Sequence, residues 1–114
     1  MILYGIPNCD SVKKARTWLS EHGRAYDFHD YRKAGVPEAE LRGWVERLGW
    51  DVVLNRAGQT FRKLPDEAKA DLDADKAVAL MLAHPSAIKR PIVADGETLL
   101  AGFSADRYAA ALEK

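Results

Sequence analysis

Tyr4-Gly5-Ile6-Pro7-Asn8-Cys9-Asp10-Ser11-Val12-Lys13-Lys14 is the stretch on which the reading of this chain turns, because a strand end, a loop and a helix start follow one another within it. Before it, Met1-Ile2-Leu3-Tyr4 is short, apolar and rich in strand formers, and Gly5 and Pro7 close it with loop punctuation. After it, Val12, Ala15, Trp18 and Leu19 recur at the three-and-four spacing of an amphipathic helix, with Lys13, Lys14 and Arg16 on the other side. Cys9, the one cysteine of the 114 residues, falls between the buried strand and the helix start. Only a thiolate is a good nucleophile. Unpaired amide donors and the positive end of a helix dipole favour that form, with Lys13 and Lys14 assisting and Asp10 opposing. The position predicts a modestly activated nucleophile rather than the small buried hydrophobe that free cysteine commonly is.

The composition narrows the surroundings. The length suits a single domain covering residues 1–114, with a core large enough to dispense with disulfides. Seventeen basic and seventeen acidic residues leave a net charge of zero, so nothing global attracts nucleic acid or an anionic membrane, and any anion binding must be local. No apolar run approaches the about 18 residues of a membrane span, and no basic, apolar leader opens the sequence. A free thiol then points to a reducing cytoplasm. His22, His29 and His84 lack ligand partners at metal-binding spacing, so no metal site is expected.

Along the chain, the first helix is predicted over Asp10–Glu21, stopped by Gly23. Tyr26-Asp27-Phe28-His29-Asp30-Tyr31 alternates aromatic and polar residues as a strand does, and Arg32-Lys33-Ala34-Gly35-Val36 reads as a polar turn. Pro37-Glu38 opens a helix carrying Leu41, Trp44, Val45 and Leu48, ended by Gly49. From Trp50 to Lys63 the periodicity fails, apart from a helical turn at Asp51–Leu54, and functional residues often lie in such segments. Helical patterns return from Pro65 to Ala70 and from Ala74 to the stop at His84-Pro85, as a helical insertion. Ile92-Val93-Ala94, the turn Asp95-Gly96-Glu97 and Thr98-Leu99-Leu100-Ala101 form a hairpin. Ser104 caps a last helix that buries Ala105, Tyr108, Ala109 and Leu112. Trp18, Phe28, Trp44, Phe61 and Tyr108 are expected in or near the core. The order βαβ, helices, ββα implies one four-stranded mixed sheet flanked by helices in an α/β fold.

That order, with a cysteine at the first loop-to-helix junction and a proline opening the third strand, resembles the thioredoxin fold. More narrowly the chain resembles the arsenate reductase (ArsC) family and its YffB branch, related to the redox regulator Spx. The residues that carry the resemblance are Gly5-Ile6-Pro7-Asn8-Cys9-Asp10-Ser11-Val12-Lys13-Lys14-Ala15, His29-Asp30-Tyr31, Leu48-Gly49-Trp50, Leu54-Asn55-Arg56, Phe61-Arg62-Lys63-Leu64, His84-Pro85 and Lys89-Arg90-Pro91-Ile92-Val93.

The resemblance implies roles for individual residues. Cys9 matches the nucleophilic cysteine that attacks a bound oxyanion, Arg56 the mid-chain arginine, and Arg90 the arginine before the strand-opening proline. The family's third oxyanion arginine falls where this chain has Gly102. A charge-assisted contact is worth about 1.5 to 3 kcal/mol, so its loss weakens an oxyanion complex tenfold or more. The CxxC of Spx is also absent, since Val12 follows Cys9 at that spacing. With one thiol, turnover needs an external thiol, and the resemblance implies a glutathione-dependent thiol reductase with no permanently bound cofactor. Arg56, Arg90, Lys13 and Lys14 would face the glutathione carboxylates. Asn8 either caps the helix or bonds the ligand. Pro91 is either an ordinary first residue of a strand or, as the resemblance implies, the cis residue of Arg90-Pro91, whose backbone pairs with a bound thiol peptide. The plainer alternatives are solvated arginines at Arg56 and Arg90 and lysines that only decorate a helix face. A second functional class is an Spx-like module that docks on RNA polymerase without turnover. No exposed apolar stripe is evident, so a monomer is expected.

Overall fold

In a computed structural model, which describes residues 1–113, the chain forms two compact units: Met1–Gly35 together with the segment from Arg90 onward, and Val36–Lys89 between them. Neither junction, at Gly35-Val36 or Lys89-Arg90, carries a linker composition.

The first unit contains β1 (Ile2–Gly5), α1 (Asp10–Glu21), β2 (Asp27–Asp30), α2 (Tyr31–Ala34) and, after the other unit, β3 (Ile92–Asp95), β4 (Thr98–Ala101) and a C-terminal helix over Ala105–Leu112. The four strands form one sheet in the order β2-β1-β3-β4. β1 lies parallel to β2, with Tyr4 opposite His29 and Gly5 opposite Asp30. It lies antiparallel to β3, with Tyr4 opposite Ile92. β3 and β4 are the expected hairpin, Asp95 pairing with Thr98 and Ile92 with Ala101. This is the thioredoxin-like mixed sheet predicted from the order of elements. On one face Leu3 and Val93 pack with Val12, Ala15, Trp18 and Leu19 of α1 and with Tyr108 and Leu112 of the C-terminal helix.

Two local expectations need correction. Tyr31 does not close β2, and Arg32–Ala34 is not a plain turn: Tyr31–Ala34 is one helical turn, because the Asp30 carboxylate accepts a hydrogen bond from the Arg32 amide at 2.8 Å and caps it. Ala105 is exposed, whereas Tyr108 and Leu112 are buried as expected. Ala105 stands in the first turn, where the Ser104 hydroxyl takes the Arg107 amide at 3.4 Å and the helix has not yet reached the core.

The second unit is the helical insertion. It holds α3 (Glu38–Leu48), α4 (Trp50–Val53), α5 (Gln59–Arg62), α6 (Asp66–Lys69) and α7 (Ala74–Ala83), so the C-terminal helix of the first unit is α8. Leu41, Trp44 and Val45 of α3 and Ala77, Val78, Leu80 and Met81 of α7 are buried, and α7 packs on α3 and α4. A bridge between Leu54 and Ile88, with Lys89 donating to Val53 and Asn55 donating to Ala87, ties the segment after α4 to the last residues of the insertion. Among the described residues no helix is long and apolar enough to cross a membrane.

Gly5 sets how closely α1 approaches the sheet. A Cβ at Gly5 would lie 2.8 Å from Val12 Cγ2, and Val12 is fully buried on a stiff, β-branched side chain that cannot swing aside. Gly5→Ala should therefore lower stability by about 1 to 3 kcal/mol in urea unfolding, the usual cost of overpacking. Wild-type stability in that variant would mean that the helix start is free to move.

Candidate functional site

The registers bring four chain segments to one end of the sheet. β1 and β2 are parallel, and β3 runs against β1 while β4 runs against β3. The C-terminal ends of β1, β2 and β4 and the N-terminal end of β3 therefore coincide. From that end leave the Ile6–Cys9 loop, the Asp30-Tyr31 corner, the Arg90-Pro91 entry to β3 and the Gly102-Phe103 turn.

Cys9 is the N-cap residue of α1, extended in backbone, with no side chain capping the helix. Its carbonyl takes the Lys13 amide at 2.9 Å and its thiol is half-buried against the core. The cap position thus belongs to Cys9 itself. Asn8, one residue earlier, is exposed and is not the cap. The positive end of a 12-residue helix starts at Cys9, with Asp10 in the same turn. Lys13 and Lys14 are exposed one turn further on. With Thr17, Trp18, Glu21 and Phe103 they line a shallow groove of about 360 Å³ along α1.

Opposite the loop, Arg90-Pro91 is a cis peptide bond, as expected. Pro91 is buried, and its carbonyl accepts the Gly102 amide at 2.8 Å, which fastens the turn after β4 to the entry of β3. Gly102 holds a φ of 78°, a left-handed conformation that disfavours a side chain. The Tyr108 hydroxyl donates to the Gly102 carbonyl at 2.8 Å, and Arg107 donates to the Ala101 carbonyl at 2.9 Å. Phe103 sets its ring edge-on to Tyr108 at 5.0 Å.

Of the residues singled out in the sequence, the first unit gathers Asn8, Cys9, Arg90 and Pro91 at this end of its sheet and sets Lys13 one turn down α1. Arg56 belongs to the second unit, where its guanidinium lies over the Trp50 ring at 5.5 Å. Of the aromatics expected in or near the core, Trp18, Trp44 and Tyr108 are buried and Phe28 and Phe61 half-buried. Among the described residues no group of three or more His, Cys, Asp or Glu side chains could hold a metal ion. The sequence reading missed Tyr31 as a site-end residue. The signal was the Asp30 side chain two positions before Arg32, an Asx-type cap that turns the chain out of β2.

Such a site, with a solitary cysteine at a helix start facing a cis-proline at the end of a thioredoxin-like sheet, defines a class of thiol-bearing α/β proteins. Within it, this chain belongs to the ArsC family, which matches residues 4–111. A solved YFFB protein superposes with a TM-score of 0.94 at 59% identity, over 97% of both chains. An arsenate reductase (ArsC) related protein from Brucella melitensis does so with a TM-score of 0.76 at 47% identity, over 96% of this chain and 91% of that one. The global transcriptional regulator Spx of Streptococcus agalactiae is 30% identical over 115 residues, spanning 98% of this chain and 82% of the regulator.

The Tyr108 anchor is testable by mutation and by pH. Tyr108→Phe should cost about 1 to 3 kcal/mol at neutral pH, because the Gly102 carbonyl loses its donor. Burial raises the Tyr108 hydroxyl well above the ordinary value of 10.0, with Arg107 opposing weakly. As pH rises past about 10 the unfolded chain releases this proton while the native chain keeps it, so the contribution to stability is whole below pH 10 and lost above it. Urea unfolding at pH 11 should show a loss of about 1.4 kcal/mol from this group, absent in the phenylalanine variant. Equal losses in both proteins would show that the hydroxyl is not held in its buried bond.

Proposed function

We propose that the protein is a thiol oxidoreductase in which Cys9 is the nucleophile and glutathione the co-substrate. The Cys9 thiolate attacks one sulfur of a disulfide, forming a bond to it and expelling the other sulfur as a thiolate, which takes up a proton. A glutathione thiolate then attacks the mixed disulfide, releasing Cys9 and carrying the oxidation away in a new disulfide. In sum one glutathione thiol is oxidised into the new disulfide as one substrate sulfur is reduced to a thiol; reducing a disulfide to two thiols takes a second glutathione. With one cysteine in the chain, an external thiol must carry out the second step.

The observation that carries this reading is the placement of Cys9 at the open start of α1, at the same sheet end as Arg90 and the cis-Pro91. In the proposal Arg90, Asn8, Lys13 and Lys14 bind the glutathione carboxylates and peptide, and Pro91 presents backbone to it. Arg56 supplies a further cation. Arsenate is a weaker substrate, because Gly102 offers no cation where the family's third arginine stands and its left-handed backbone resists replacement. The reaction is placed in a reducing cytoplasm, and the protein acts as a monomer without resident metal, nucleic acid or membrane.

Cys9→Ser should abolish turnover of a mixed disulfide such as glutathionylated cysteine, assayed by coupled glutathione reduction. Retained turnover in that variant would sink the mechanism. Arg90→Ala should weaken glutathione binding about tenfold while circular dichroism stays that of the wild type. Unchanged affinity would remove Arg90 from the site.

The similarity to Spx across nearly the whole chain favours one second reading, a module that docks on RNA polymerase without turnover. It predicts recovery of RNA polymerase on immobilised protein, undiminished by Cys9→Ser.

A further inference from the structure

Three tyrosines of the first unit are buried, Tyr4, Tyr31 and Tyr108, and among the described residues Tyr31 is the one whose hydroxyl lacks a partner. Tyr108 places its hydroxyl on the Gly102 carbonyl at 2.8 Å. Tyr31 is 5% exposed, and its hydroxyl has no hydrogen-bond partner among the described residues. A phenylalanine would fill the same space without leaving a donor dry, so the hydroxyl is an anomaly that asks for a ligand.

Its surroundings say what kind. Tyr31 directly follows Asp30, which pairs with Gly5 at the sheet end from which the Cys9 loop departs. The His29 ring stands between the Tyr4 and Tyr31 rings, 5.1 Å from the first and 6.0 Å from the second. His29 commits Nε2 to the Gly35 carbonyl at 2.8 Å. Burial above all, and then the neighbouring Tyr4 phenol, raise the Tyr31 hydroxyl well above its ordinary range while Arg90 opposes them, so it meets an incoming group as a neutral O–H. A neutral donor at the sheet end where Arg90 leads into β3 suits an acceptor carrying negative charge on oxygen. A cation would be repelled there, and an apolar group would leave the donor dry.

We propose that the Tyr31 hydroxyl is a ligand-binding donor that completes the Arg90 anion site, giving its hydrogen bond to an oxyanion, whether the carboxylate of a thiol peptide or a tetrahedral oxyanion. The proposal rests on the reading of Arg90 as an anion-binding residue and adds the donor that fixes the ligand's orientation. Arginine alone would accept any nearby anion, whereas a hydroxyl aimed from a packed corner selects one oxygen at one distance.

The test uses calorimetric titration of the full chain with S-methylglutathione, which has no free thiol, and separately with arsenate, comparing the wild type with Tyr31→Phe. The variant should bind at least tenfold more weakly, while its melting temperature without ligand is equal to or above that of the wild type. Loss confined to S-methylglutathione identifies a carboxylate, and loss confined to arsenate a tetrahedral oxyanion. Equal affinities in the two proteins, or a wild type that binds neither ligand, would overturn the proposal. Should the variant fold poorly, 3-fluorotyrosine at position 31 in the otherwise native protein serves instead. Its fluorine resonance should shift on saturation with the bound ligand, and an unmoved resonance counts against the proposal. Neither measurement needs turnover, so a failure of the Cys9 redox mechanism, read from Cys9→Ser kinetics, is separable from a failure of the Tyr31 site.

Discussion

The arrangement depends on β1 being paired on both sides, parallel to β2 and antiparallel to β3. A central strand with neighbours of opposite direction sends the end of one neighbour and the start of the other to the same edge. The thiol loop follows β1, the cis-proline precedes β3, and the capped corner follows β2, so three segments distant in sequence meet without any of them being long. The hairpin then brings Gly102 and Phe103 to the same place, held by the hydrogen bond to the Pro91 carbonyl. A one-residue slip of β1 would move Leu3 off the core face and Tyr4 off the site face together, so burial of Leu3 specifies the register on which the site relies.

The site's electrostatics come from few sources. The chain is neutral overall, and the positive character near Cys9 is local, from the open start of α1 and the exposed Lys13 and Lys14, with Arg90 leading into β3 at the same end of the sheet. Hydrogen bonding divides the same region into closed and open parts. Tyr108, Gly102, Pro91 and Arg107 form a satisfied frame, in which each named donor has its acceptor. Tyr31 lies outside that frame with its donor unmet. Rigid, satisfied groups position a site, and an unsatisfied buried donor is where a partner would contribute free energy.

Much of this could be read along the chain. Strands β1, β3 and β4, helices α1, α3, α7 and α8 and the turn at Gly96 follow from apolar period, glycine and proline, all signals that act within a few residues. Cys9 at a helix start was legible for the same reason. The Asp30-Tyr31 corner was not, because the aromatic-polar alternation of Tyr26–Tyr31 continues through it and only the Asp30 side chain, taking the Arg32 amide, ends the strand. Ala105 was misplaced in the core because period alone does not say on which turn a helix first meets its neighbours.

By itself the sequence determined the kind and order of most elements, that one thiol is available, and that no CxxC and no arginine at position 102 are present. Those are properties of local propensity and of composition, and need no partner segment to be defined. Only the tertiary structure decided which ends share an edge of the sheet, how Pro91 is bonded to Gly102, and which buried tyrosine hydroxyl lacks an acceptor among the described residues. The reason is that strand pairing and hydroxyl satisfaction are relations between residues far apart in the chain. The Tyr31 corner and the Arg90-Pro91 entry are brought to one end of the sheet by ladders that no local pattern encodes.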